Sequence, residues 1–137
     1  MPVTVLVCGS RHWPHAHIVR LFLAQLEYEL GDQLVVIHGD CPRGADRMAR
    51  DACIALGIEQ RRWPAQWDRG PRAGLDRNRA MVAALDPERD RVLAFRATGP
   101  SPGTDHTLGL ALRRGIRSTV IHLADVEAAL EAGAEAS

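Results

Sequence analysis

Short runs of β-branched and other apolar residues alternate along this chain with longer segments whose apolar positions recur every three or four residues. Val3 to Cys8 is the first run, continuous rather than alternating, as expected of a strand covered on both faces. Gly9-Ser10-Arg11 breaks it, Pro14 suits a first helical turn, and Ile18, Leu21, Phe22, Leu26 and Leu30 keep helical spacing until Gly31 closes the segment. Leu34 to Ile37 is a second buried strand. A polar turn, His38 to Asp46, leads from it into a helix marked by Met48, Ala49, Ala52, Cys53 and Leu56. Ile58 to Trp63 is more polar and reads as a strand nearer a sheet edge. Pro64 to Gly74 has no regular pattern and suits a loop that covers a site.

Leu75, Met81, Val82 and Leu85 predict a third helix, stopped with the help of Pro87. Arg91 to Arg96 is a fourth strand, followed by the Gly/Pro-rich turn Ala97 to Thr104. Thr104 is then expected to cap a helix carrying Leu108, Ala111 and Leu112 as far as Gly115, with Asp105 on its positive end. Ser118 to Leu123 forms a fifth strand, and Asp125 starts a last helix whose tail, Ala132 to Ser137, is expected to fray. The alternation predicts one α/β domain: a five-stranded, mainly parallel sheet in a Rossmann-like three-layer sandwich, helices covering both faces. In such folds ligands sit beyond the carboxyl ends of the strands. Three Gly-bearing turns, at Gly9, at Gly39 to Gly44 and at Gly99 to Thr104, would line that one edge.

The 137 residues, 46% of them apolar, suffice for one real core. Seventeen basic residues balance 17 acidic ones, so the charge excess of a general nucleic-acid binder is missing. All the basic residues other than His are Arg. With no Lys in the chain, a Schiff-base or P-loop lysine is excluded. Cys8, Cys41 and Cys53 form no C-x-x-C pair, and no apolar run reaches membrane-spanning length, so a reduced, cytoplasmic protein is expected, with neither disulfide framework nor zinc site.

The turn after the second strand carries the strongest chemical signal. A strand-to-helix turn aims free amides and the positive helix dipole at one point, where a phosphate fits. Gly39 and Gly44 permit close approach or positive φ, Pro42 stiffens the turn, and Arg43 adds a forked donor. The plainer alternative is a turn of the chain in which Asp46 pairs with a neighbouring Arg. Cys41 sits where a helix start can lower a thiol pKa, but no partner base is identifiable. His12, His15 and His17 match no tight metal template, and no metal or cofactor is expected. Trp63 and Trp67 suit the core or an interface better than base stacking.

Five motifs together, Cys8-Gly9-Ser10-Arg11, His38-Gly39-x-x-x-Arg43-Gly44-Ala45-Asp46, Trp63-Pro64-Ala65-x-Trp67, Arg77-Asn78-x-x-Met81 and Pro102-Gly103-Thr104, resemble the YspA-type, cpYpsA-related branch of the SLOG superfamily of Rossmann-like nucleotide-binding proteins. The resemblance implies a bound nucleotide or nucleotide-derived phosphate and a sensor or accessory role. It implies a binding set of Gly9, Ser10, Arg11, Gly39, Asp40, Arg43, Gly44, Ala45, Asp46, Arg77, Asn78, Gly103 and Thr104, and a homodimer or larger homo-oligomer. The superfamily also holds the LOG phosphoribohydrolases, which release a base from a nucleoside monophosphate, and DprA-type proteins that handle single-stranded DNA. Arg77 matches the LOG Arg, whereas the LOG Glu falls here on Thr107. Catalysis would then rest on Arg77 with Asp105 or Asp46 as substitute carboxylate. The DprA-like use ranks last, given the balanced charge.

Overall fold

The computed structural model describes residues 1–136; Ser137, the end of the tail expected to fray, lies outside them. Five strands, β1 (Val3–Gly9), β2 (Leu34–His38), β3 (Glu59–Arg62), β4 (Arg91–Arg96) and β5 (Arg117–His122), form one sheet in the order β3-β2-β1-β4-β5. Every pairing is parallel. Between them run α1 (Ala16–Leu30), α2 (Ala45–Leu56), α3 (Ala73–Ala83) and α4 (Pro102–Arg113), and α5 (Leu123–Ala136) follows β5.

The continuous apolar strands are buried on both faces because successive side chains point to opposite sides. Val5 and Val7 face one core with Val36, Leu93 and Phe95, under α1, α2 and α5. Leu6 and Cys8 face the other with Ile37, Val92 and Ala94, under α3 and α4. The chain steps outward from β1 through β2 to β3, then crosses back to β4 and on to β5. With right-handed crossovers the first two helices therefore cover one face and the next two the other. The polar segment Glu59–Arg62 is an edge strand, and its outward position leaves its charges in water. No helix among the described residues is long and apolar enough to cross a membrane.

Local expectations differ from the structure at three helix starts, and at the last of them α5 begins at Leu123, two residues before Asp125. Pro14 precedes α1 instead of entering its first turn, because Trp13 folds into the core beside Phe95 (ring centroids 5.4 Å apart) and its indole N–H donates to the His15 carbonyl. Thr104 does not cap α4. The helix begins at Pro102, Ser101 occupies the capping position, and Thr104 is buried within the first turn.

Candidate functional site

The strand order reverses between β1 and β4, so the turns after these strands diverge and open a cleft. Gly9-Ser10-Arg11 leaves the end of β1, Gly39 to Asp46 joins β2 to α2, and Pro100 to Thr104 enters α4; all three supply walls to one cavity of about 400 Å³. Arg77 and Asn78, on the first turns of α3, close its side. A second cavity of similar volume, about 400 Å³, lies against it and shares Arg11, Gly39, Cys41 and Arg77. Its outer wall comes from the irregular loop through Pro64, Ala65 and Trp67.

Ser10 knits the three turns together. Its backbone N–H donates to the Phe95 carbonyl (2.9 Å), its carbonyl accepts from the amides of Trp13 and Ala45 (both 3.2 Å), and its hydroxyl accepts from the Ala97 amide (3.0 Å). The same hydroxyl lies 2.6 Å from the hydroxyl of Ser101. The glycines make this closeness possible. A β-carbon on Gly9 would lie 2.4 Å from the Phe95 carbonyl oxygen, and one on Gly44, whose φ is +74°, would lie 2.5 Å from the backbone of Arg11. Both glycines fit protein against protein.

The β2–α2 turn largely satisfies itself. The Asp40 amide donates to His38 Nδ1 (3.1 Å), the Cys41 amide to Asp46 Oδ2 (3.3 Å), and the Ala45 amide to Ser10. His38 is fully buried, and with its Nδ1 accepting, Nε2 carries the hydrogen and donates to Gln60 Oε1 at 2.8 Å. The amides of Asp46 and Arg47 keep no acceptor among the described residues, yet the Asp46 carboxylate already supplies the negative charge at this helix start. Asp46 is buried, and burial raises its pKa above the ordinary carboxylate range. Hydrogen bonds from Cys41 and the charge of Arg77 oppose that rise. The Cys41 thiol is likewise pushed up, by burial and then by Asp46, so the lowering a helix start can cause is overridden. Burial raises Cys53 to about 12 and carries Cys8 higher still.

Arg77 is a tether. Its Nη1 donates to the carbonyls of Gly39 and Trp63, and its Nε to Asn78 Oδ1 at 2.9 Å, which ties the ends of β2 and β3 to α3. A β-carbon on Gly39 would lie 2.5 Å from that guanidinium, so this glycine serves the approach of Arg77. Nη2 has no hydrogen-bond partner among the described residues.

The start of α4 is different. Among the described residues no side chain caps it and the amides of Gly103 and Thr104 find no acceptor, while Pro102 has no amide to satisfy. A β-carbon on Gly103 would meet nothing within 4 Å, and the Thr107 hydroxyl holds the Gly103 carbonyl at 3.1 Å. Ser101, a residue that sequence reasoning missed, adds its hydroxyl to the same wall. The usual N-cap preference for Ser was its only sequence signal.

Of the expected site residues, Gly9, Ser10, Arg11, Gly39, Asp46, Arg77, Asn78, Gly103 and Thr104 line the inner cavity, and Asp40 and Arg43 line the outer one. Gly44 and Ala45 are buried under the β1 turn and line neither. Asp105 stands apart: Arg96 grips its carboxylate through two bonds, of 2.8 and 3.0 Å, which holds its pKa below the usual range. Trp63 packs against the core of the α3–α4 face, whereas Trp67 is 56% exposed. Among the described residues no group of three or more His, Cys, Asp or Glu side chains is placed to hold a metal ion.

No curated protein matches the chain. The model of the YspA, cpYpsA-related SLOG family matches residues 3–70, the stretch from β1 through the β2–α2 turn to the loop of Trp67, and the chain belongs to that family.

Proposed function

We propose that the inner lobe binds the phosphate of a nucleotide or nucleotide-derived ligand, and that the protein works as a sensor or accessory domain. The observation that carries this reading is the uncapped start of α4, where the amides of Gly103 and Thr104 have no acceptor among the described residues, a β-carbon on Gly103 would meet open space, and Ser101, Gly103 and Thr104 line the inner cavity. A helix start in that state attracts an anion through both its dipole and its free N–H groups. Arg11 adds a charged donor at the edge of the same lobe. Charge-assisted hydrogen bonds contribute about 1.5–3 kcal/mol each. Three or four of them approach the roughly 8 kcal/mol of a micromolar complex once ordering costs are subtracted.

Calorimetry against mono-, di- and cyclic nucleotides, NAD and ADP-ribose tests the reading. Gly103→Asp is the decisive variant, because a carboxylate on the first turn suits the helix dipole while occupying the open space with negative charge. Saturable heat that falls about 100-fold in affinity in Gly103→Asp, with folding intact, is the expected result. Absence of heat with every ligand would end it.

One observation favours a second reading, a LOG-like phosphoribohydrolase. Asp46 is a buried carboxyl with a raised pKa in the inner lobe beside Arg77, as a general acid or base requires. Incubation with nucleoside monophosphates, followed by chromatography for free base, decides it: release abolished in Asp46→Asn supports the enzyme, and no release from the unaltered protein removes it.

A further inference from the structure

Beyond the shared wall of Arg11, Gly39, Cys41 and Arg77, the cleft continues into an outer lobe that a single phosphate at α4 leaves unused. We infer that this lobe is a second subsite, taking the far half of a dinucleotide-type ligand: Arg11 and Arg43 hold the bridging phosphate of that half, and Trp67 stacks on its base. The inference rests on the reading of the inner lobe as a phosphate site.

Charge is the first argument. Arg11 and Arg43 are exposed and make no hydrogen bond or ion pair with any described residue. Many other arginines are engaged: Arg47 with Asp51, Arg61 with Glu59, Arg79 with Asp76, Arg89 with Asp86, and Arg96 with Asp105. The guanidinium of Arg77, on the same wall, is held by carbonyls of the protein itself. Two unengaged guanidinium groups thus face a lobe whose one lining carboxylate is Asp40. Forked donors of this kind suit phosphate oxygens.

Trp67 is the second argument. Trp13 is 1% exposed, whereas Trp67 leaves 56% of its surface open while lining the outer lobe. A short 3₁₀ turn, Trp67–Arg69, carries it, and its ring lies so close to Gly74 that a β-carbon there would stand 3.0 Å from Cη2. One side of the indole is therefore supported and the rest is offered to the lobe, the arrangement of a stacking platform.

Size is the third. Each lobe, at about 400 Å³, lies in the range of a pocket for one small ligand. A mononucleotide fills one lobe, and a ligand joined through two phosphates reaches both.

The test compares two ligand sets on the full chain by calorimetry: the four common nucleoside 5′-monophosphates, and the dinucleotides NAD and diadenosine diphosphate. Arg43→Gln and Trp67→Ala are each expected to weaken dinucleotide binding by about tenfold or more, while leaving monophosphate affinity within about twofold. Trp67→Phe, which keeps a ring, is expected to retain most of the affinity and stands in if the alanine variant fails to fold. Dinucleotides that bind the unaltered protein no tighter than monophosphates would overturn the inference. So would variants that change both ligand sets equally, or neither. If no nucleotide of either kind binds, the phosphate reading itself falls and this one falls with it.

Discussion

Two helix starts face the same cleft and have opposite characters. The β2–α2 turn carries the richer motif, with two glycines, a proline, an arginine and two aspartates, yet its amides at Asp40, Cys41 and Ala45 are taken by His38, Asp46 and Ser10, and the Asp46 carboxylate supplies the negative charge at the two left open, those of Asp46 and Arg47. The α4 start carries the poorer motif, with its capping serine turned toward Ser10; its amides at Gly103 and Thr104 have no acceptor among the described residues, and its first-turn carboxylate, Asp105, is held by Arg96. The difference teaches that glycine at a strand-to-helix turn records close approach without recording by what. At Gly9, Gly39 and Gly44 the approaching atoms belong to the protein; above Gly103 there is space.

The widest separation between the two regions is expected from alanine scanning of their glycines. Gly44→Ala places a side chain at φ +74° with its β-carbon 2.5 Å from the Arg11 backbone, and a loss of about 3–5 kcal/mol is expected in denaturant unfolding. Gly103→Ala adds a β-carbon in open space on a helix and is expected to gain about 0.5–1 kcal/mol. Equal costs at both positions would erase the contrast.

Asp46 sharpens it at a middle scale. Its pKa is raised in the folded protein, so folding is most favoured while the group is protonated, and that advantage is lost as pH rises through the folded pKa. Asp46→Asn keeps an acceptor for the Cys41 amide and never ionises. The variant is expected to be more stable than the unaltered protein at pH 7, on the order of 1 kcal/mol. The gap should vanish below the ordinary carboxylate range. Thermal melts across pH measure this, and a gap that widened in acid would contradict the assignment.

The smallest effect belongs to Asp105. Its carboxylate side chain is half exposed and bound to Arg96, and its lowered pKa makes the pair stabilising above the unfolded carboxylate pKa and ineffective once pH falls through the folded one. Asp105→Asn is expected to cost little in thermal melts at neutral pH and nothing in acid, and to leave ligand affinity unchanged. An affinity change would bring Asp105 back into the site.

Most of the fold was legible because its signals are local. Apolar runs such as Leu34 to Ile37 and the helical spacing of Met48 to Leu56 report burial wherever they occur, and the polar Glu59–Arg62 announced its edge position. What stayed hidden depends on partners far along the chain. Nothing near Trp13 says that it will pack on Phe95, and Asp90 reads as one more surface acid. Its buried carboxylate in fact accepts from the amides of Thr4 and Asp86. The site followed the same rule. The gathering of three turns at one edge could be read from topology, but which amides would find acceptors could not, since Ser10 meets Ala45 and Ser101 only once the sheet has formed.

The hydroxyl pair of Ser10 and Ser101 bears on the uncapped start of α4. Serine at the head of a helix ordinarily folds its oxygen back over the first-turn amides, a contact typically contributing about 1 kcal/mol. Here the Ala97 amide fills one lone pair of Ser10, whose own hydrogen can then go to Ser101, and the latch that would shut α4 is hooked open from the neighbouring strand. On the proposed reading the molecule forgoes a little stability and the doorway at α4 stays unobstructed, with residue 10, at the other end of the sequence, as the doorstop.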